Sequence, residues 1–306
     1  MAAGAGGAWV GLSRRRTARA LRMMIADAGR SILPAPVKPD PATWSDNAIT
    51  ISWLGHATLL INFYGVRILT DPAFADRCGV DLGIGTAGPK RYVAPALQLR
   101  ELPPIDLVLL SHAHMDHTDL PSLRAFVGKS PIVAAKNTSD LLANAKATPP
   151  AELGWGDDFT LRTDRGDLRV EAFEVNHWGE RWPNEKIARG YNGYLLRREG
   201  RAILFGGDTA NTTLFADLRS RGPFDAAIMP IGAYQPWIHS HCTPEQAVDM
   251  ANAAGVGYIV PMHHQTFKLS DEPMNEPIER IQSALQREPE RLALQRIGES
   301  FVCPVS

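Results

Sequence analysis

The sequence predicts an α+β fold in which two β-sheets pack face to face with helices outside them, on three observations. Short β-patterned runs separated by turn residues occupy 48–70 and recur from 159 onward. Each of these two β-rich stretches leads into helical patterns. The run 105–111 (IDLVLLS) is continuously apolar rather than alternating, as in a strand covered on both faces.

Residues 1–33 stand apart: Arg14, Arg15, Arg16, Arg19, Arg22 and Arg30 face one acid, Asp27. Leu21, Ile25, Ala28 and Ile32 recur at helical spacing, with arginines on the other faces. A secretory signal places its charge before a long apolar core, and here the order is reversed. The pattern suits a surface helix making peripheral contact with anionic lipid, or more plainly a frayed or partly docked leader, which is the reading preferred here. A Pro-rich linker (Pro34, Pro36, Pro39, Pro41) follows. The division is thus a leader and linker over 1–44 and one domain over 45–306.

Within that domain, 48–54 and 57–63 read as strands, and Tyr64-Gly65 turns the chain into 66–70, which ends at Asp71-Pro72. Residues 75–104 form a long Gly- and Pro-rich loop of the kind that often carries function. Further strands are predicted at 131–135, 159–163, 167–175, 191–197, 201–206, 225–231 and 257–261. Helices are predicted at 119–127, 138–146, 211–220, 243–254 and 275–287.

Composition sets the outer bounds. The 306 residues are 44% hydrophobic, enough for a large core, and the formal net charge of −1 offers no footprint for nucleic acid. Cys78, Cys242 and Cys303 are odd in number and far apart, which argues against a disulfide scaffold and for a reducing, cytoplasmic setting. No apolar run approaches the roughly 20 residues of a membrane-spanning helix.

The chemistry concentrates where the buried strand ends, in Ser111-His112-Ala113-His114-Met115-Asp116-His117. His112 and His114, two apart on a curled loop, can aim both imidazoles at one cation. Asp116 and His117 diverge from that pair and can address a second. Imidazole with carboxylate suits zinc or another borderline divalent metal. Further candidates each follow a strand: His177 before Trp178, Asp208 in Gly206-Gly207-Asp208, and His263 or His264.

This ordered set resembles the metallo-β-lactamase superfamily. Trp53-Leu54-Gly55-His56-Ala57-Thr58, Thr70-Asp71-Pro72, Gly88-Pro89-Lys90-Arg91, Leu102-Pro103-Pro104-Ile105-Asp106, Gly222-Pro223-Phe224-Asp225, Pro230-Ile231-Gly232-Ala233-Tyr234 and Thr266-Phe267 narrow the resemblance to the N-acyl-phosphatidylethanolamine phospholipase D branch. The resemblance implies a four-layer αββα sandwich with two zinc ions at one edge of the sheets. It assigns His112, His114 and His177 to the first ion, Asp116, His117 and a late histidine to the second, and Asp208 to both. Counting back from Thr266-Phe267 selects His263 over its neighbour His264. Asp71 matches a position that supports the metal ligands from behind, and His56 is read as structural or supporting. Iron or manganese would also suit a site with two carboxylates.

The resemblance further implies a phosphodiesterase using a metal-bridging hydroxide, with Asp116 orienting it or taking its proton. His241, in Ile238-His239-Ser240-His241, resembles a histidine near the substrate phosphate; the alternative is a polar surface turn shared with His239. Lys90 and Arg91 could hold a phosphate or simply be solvated. Trp178, Trp182, Tyr234 and Trp237 could line an apolar wall for an acyl chain or be ordinary packing. The expected substrate is a phospholipid or similar small phosphodiester. A lactonase or carboxyl-ester hydrolase is the alternative enzyme, and a non-catalytic metal-binding protein the alternative of another class.

Overall fold

The computed structural model describes residues 27, 29–81, 86–143 and 149–304. One sheet has seven strands, in spatial order β15 (Ser300–Val302), β1 (Ile49–Gly55), β2 (Thr58–Phe63), β3 (Val66–Thr70), β6 (Leu107–Leu110), β7 (Ile132–Ala135) and β8 (Ala151–Leu153). The other has six, in the order β14 (Val256–Met262), β13 (Phe224–Pro230), β12 (Arg201–Phe205), β11 (Asn192–Arg198), β10 (Gly166–Glu174) and β9 (Asp158–Thr163). A short ribbon, β4 (Val80–Asp81) with β5 (Thr86–Ala87), interrupts the long loop. The α-helices with both ends among the described residues are α1 (Leu120–Leu123), α2 (Leu214–Asp217), α3 (Pro244–Ala254) and α4 (Glu276–Ala284).

Side chains alternate between two cores, and this period of two explains why the strands read as continuously apolar. Ile203 and Phe205 of β12 face β1, β2 and β6 across the space between the sheets. Leu204, between them in sequence, joins the core under α2, α3 and α4 with Phe215, Ala251 and Ile281. The second sheet therefore has a helical cover over β11 to β14, while the outer faces of β9 and most of β10 stay exposed. The first sheet is covered more thinly, by α1 and by apolar residues such as Leu97 and Phe126.

Local chemistry sets the connections. The β2–β3 turn holds Tyr64 at φ 49° and Gly65 at φ 83°, both left-handed, which is the twist a two-residue hairpin needs. Asn62 accepts a hydrogen bond from Gly65 N (2.9 Å) to close it. Helix α3 opens with a capping box, Thr243 and Gln246 each satisfying the other's backbone, and Gly255 ends it at φ 76°.

Some predicted elements are shorter than their sequence patterns. The helix expected at 138–146 is a 3-10 turn, Ser139–Leu142, with 144–148 outside the described residues. The one at 211–220 divides into α2 and a second 3-10 turn, Leu218–Arg221, and 119–127 is helical only at α1 before tight turns. Strands β8 and β15, three residues each, are too brief to show a period and carry no sequence signal.

The predicted leader helix lies largely outside the described residues, but its end docks. The Arg30 side chain donates to Asp27 Oδ1 (2.6 Å) and to the carbonyls of Lys90 (2.6 Å) and Arg91 (2.8 Å). Lys90 N in turn donates to Asp27 Oδ2 (2.7 Å). Leu33 then bridges to Val93, its amide donating to Tyr92 O (2.8 Å). Tyr92 N donates to Thr266 O (2.7 Å), so this seam ends beside the last histidines. Among the described residues no helix is long and apolar enough to cross a membrane.

Candidate metal centre

Strands β1, β3, β6, β10, β12 and β14 all release their C-terminal ends at one edge of the sandwich, and there eight of the nine histidines gather. His239 is exposed and stays outside. The first strand end supplies His56, the third Asp71, the sixth the loop 111–117, and the others His177, Asp208 and His263. Gly207 makes the approach of Asp208 possible: at φ 56° a Cβ there would sit 2.7 Å from Asn192 O.

Two sets of donors form. His112 Nε2 lies 2.8 Å from His114 Nδ1, which is 3.2 Å from His177 Nε2, so three nitrogens converge. Asp116, His117 and His263 form the second set with His56, their ligand atoms within 4.8 Å of one another. Asp208 stands between them. Its Oδ2 is 3.0 Å from His117 Nε2 and 3.1 Å from His263 Nε2, and 3.9–4.0 Å from nitrogens of His177, His241 and His112.

The supporting contacts explain the orientations. Asp71 is fully buried; its carboxylate accepts from Ser111 N (2.7 Å) and Ser111 Oγ (2.6 Å) and lies 2.7 Å from His117 Nδ1. That contact leaves His117 Nε2 facing Asp208. Ser111 Oγ also reaches His112 Nδ1 (2.9 Å), and Ser240 O reaches His177 Nδ1 (2.8 Å). His56 Nε2 lies 2.8 Å from Asp116 Oδ2 and its backbone amide donates to Thr266 Oγ1 (2.6 Å), which ties the two ends of the chain's site segments together.

Electrostatics point the same way. Burial, then the neighbouring His117, His114 and His177, hold His112 well below the ordinary imidazole range, and burial with His177 takes His114 to about 3. Burial disfavours charge on Asp208, yet His117 and His263 overcome it and hold the carboxyl well below its usual value. The converse holds for His263: burial opposes its charge, but Asp208 and Asp116 lift it to about 9. Two carboxylates, Asp208 buried and Asp116 partly so, thus draw positive charge from whatever is near. His114 Nε2, His117 Nε2, His263 Nδ1 and Asp208 Oδ1 are buried without a hydrogen-bond partner. Imidazoles that burial keeps neutral in the first set, and imidazoles in the second that the carboxylates draw toward positive charge, fit divalent cations of the zinc type together with the unpartnered nitrogens and oxygens between them.

The double histidine separates cleanly. His263, at a left-handed φ of 64°, turns into the cluster. His264 stacks on Trp53 with ring centroids 4.4 Å apart, and burial with His263 and His56 lowers it to about 3. His263→Ala is therefore expected to lower metal content, whereas His264→Ala should keep it and cost about 2 kcal/mol of stability as a core truncation. Elemental analysis and thermal melting check this, and equal metal loss in both variants would reassign the residue.

Other predicted residues divide. His241 is buried at the site, its ring 5.2 Å from His177 and 5.3 Å from His263, so it does not share a surface turn with His239. Lys90 is turned onto the leader, its Nζ bonded to Arg30 O. Arg91 is fully buried, donating from Nη2 to Ala73 O (2.7 Å) beside the ring of Phe267, so neither a solvated pair nor a phosphate clamp facing the groove is formed. Tyr234 is buried with its hydroxyl on Glu276 (2.7 Å), while Trp178 and Trp182 are exposed. Sequence reasoning missed Arg181, whose Nη1 donates to Ala113 O (2.7 Å) and Thr118 O (2.9 Å) and braces the histidine loop.

Residues 66–264 match a family model described as Beta-lactamase superfamily domain. An uncharacterized protein of Mycobacterium tuberculosis is 32% identical over 283 residues, covering 89% of this chain and 74% of its own. The N-acyl-phosphatidylethanolamine-hydrolyzing phospholipase D 1 of Caenorhabditis elegans is 29% identical over 244 residues, 74% of this chain and 66% of that protein. A metallo hydrolase of the archaeon Ignicoccus hospitalis superposes with a TM-score of 0.63 at 19% identity, over 85% of this chain and all of that one, which establishes a shared fold. The chain belongs to the β-lactamase superfamily and is a metal-dependent hydrolase of the metallo-β-lactamase fold resembling the N-acyl-phosphatidylethanolamine-hydrolysing phospholipases D.

Proposed function

We propose that the chain is a phosphodiesterase of the phospholipase D type that holds two zinc ions. His112, His114 and His177 would bind one ion, Asp116, His117 and His263 the other, and Asp208 both. The observation that carries this reading is the placement of Asp208 Oδ2 between the two donor sets, 3.0 Å from His117 and 3.9 Å from His177. The similarity to the nematode phospholipase supports the substrate class. When bound, such ions supply an activated water at neutral pH and neutralise charge on phosphoryl oxygens.

The protein's own groups do the rest. Burial disfavours charge on Asp116, but His117, His263 and His56 hold its carboxyl well below the usual range. As a carboxylate beside the donor set, Asp116 can orient the nucleophile or take its proton. His241 is kept neutral mainly by burial, and can donate an N–H to a phosphoryl or leaving-group oxygen without adding charge. Asp71 and His56 hold His117 and Asp116 in register.

Turnover of metal-loaded protein on an N-acyl-phosphatidylethanolamine, a bis-aryl phosphodiester and a simple lactone tests the reading. Cleavage of the phosphodiesters with the lactone at least about 100-fold slower is expected. Cleavage of the lactone alone would move the chain to the ester hydrolases.

A further inference from the structure

The donor set opens onto a groove of ≈ 550 Å³ whose lining includes His114, Trp178, Glu180, Arg181, Trp182 and Glu185. Trp178 and Trp182 are 37% and 43% exposed, a large area of indole to leave in water on a hydrolase of this size. Trp178 also lies against the site, its ring 4.5 Å from that of His114 and 4.4 Å from that of His177, so whatever fills the groove is next to the reacting centre.

The groove's charge is the informative part. Arg181, its lining cation, is buried and turns Nη1 away into the carbonyls of Ala113 and Thr118. Glu185 is matched: it takes the Arg189 guanidinium at 2.6 Å and the Arg181 amide at 2.8 Å. Glu180 is exposed and has no hydrogen bond or ion pair among the described residues. The free charge at the mouth is therefore negative. An anionic phosphodiester gains nothing from a carboxylate there, and a purely apolar chain loses nothing by its removal. Indole faces with an uncompensated carboxylate match a different group, an alkylammonium, which the indole quadrupole and the carboxylate both attract.

We propose that Trp178, Trp182 and Glu180 form a subsite for a cationic ammonium head, so that the preferred substrate is a phosphodiester of an amino alcohol bearing a positive charge. This rests on the phosphodiesterase reading for the reaction, but not for the binding, and it sets an N-acylated ethanolamine, whose nitrogen is an uncharged amide, below a phosphodiester whose amine is free or quaternary. The reacting phosphorus would sit at the histidine cluster and the ammonium a few bonds away in the groove. An acyl chain in the same groove is the competing occupant.

The test uses full-length, metal-loaded protein and two probes that need no turnover. Choline and its neutral isostere 3,3-dimethylbutanol are titrated at constant ionic strength while tryptophan fluorescence is followed. Choline should bind at least about tenfold more tightly than the isostere. Glu180→Gln and Trp182→Ala should each weaken choline about fivefold or more, and Trp182→Phe should restore part of the loss because an aromatic face remains. Equal binding of the two probes would overturn the proposal in favour of an apolar chain, and so would no binding of either.

A kinetic arm separates this from the reaction itself. The ratio of kcat/KM for an aryl ester of phosphocholine over an aryl methyl phosphodiester should fall about tenfold in Glu180→Gln. An unchanged ratio would overturn the subsite. Cleavage of neither ester with choline still bound selectively would uphold the subsite and sink the phosphodiesterase reading.

Discussion

Asp208→Ala is expected to cut bound zinc from about two ions per chain to one or fewer and to lower kcat/KM by at least about 10³-fold, with the fold intact. The reasoning is electrostatic. Asp208 is 2% exposed and its Oδ2 lies within 4.0 Å of nitrogens of five histidines, so both donor sets rely on one carboxylate. Its contacts are with those imidazoles, so the sandwich loses little when it goes. Elemental analysis, circular dichroism and turnover measured on the same preparation decide the matter. Full retention of metal and activity would break the shared-carboxylate model. Asp208→Asn, which keeps the shape and removes the charge, should behave nearly as badly.

Asp71→Ala should produce the second largest effect by a different route. Asp71 makes three contacts, two from Ser111 and one to His117 Nδ1, all 2.6–2.7 Å and fully buried. Removing it strands buried donors, at a cost of about 3 kcal/mol. It also frees His117 to rotate, which should weaken zinc binding by about 10- to 100-fold. Chemical denaturation reads the first effect and zinc titration the second. A stability loss with unaltered zinc affinity would make Asp71 a purely structural residue.

The strand framework was legible because both faces of most strands are buried, which writes long apolar runs into the sequence, as in 105–111. The histidine loop was legible for a related reason: one strand end brings His112, His114, Asp116 and His117 together without help from the fold. His177, Asp208 and His263 could be proposed only because each follows a strand, and the parallel arrangement puts those ends on one edge. What the sequence hides is the packing of loops. Nothing in Lys90-Arg91 distinguishes a solvated pair from a buried guanidinium under the site. The same holds for His239 and His241, one exposed and one buried although only two residues apart. Helical patterns at 138–146 and 211–220 were overstated, since apolar spacing over one turn serves a 3-10 segment equally well. Glu180 and Arg181 give no local signal, because their roles depend on the contacts the loop makes after folding.

The seam from Arg30 through Tyr92 to Thr266 gives the N-terminal segment a mechanical place in the site. Thr266 Oγ1 receives the His56 amide, and Thr266 lies three residues beyond His263. The described residues from Arg30 to Leu33 thus buttress the second donor set from behind. A tag or truncation that disturbs residues 27–33 would consequently reach the histidines within a few hydrogen bonds, and the length of chain kept upstream becomes a variable of the active site itself.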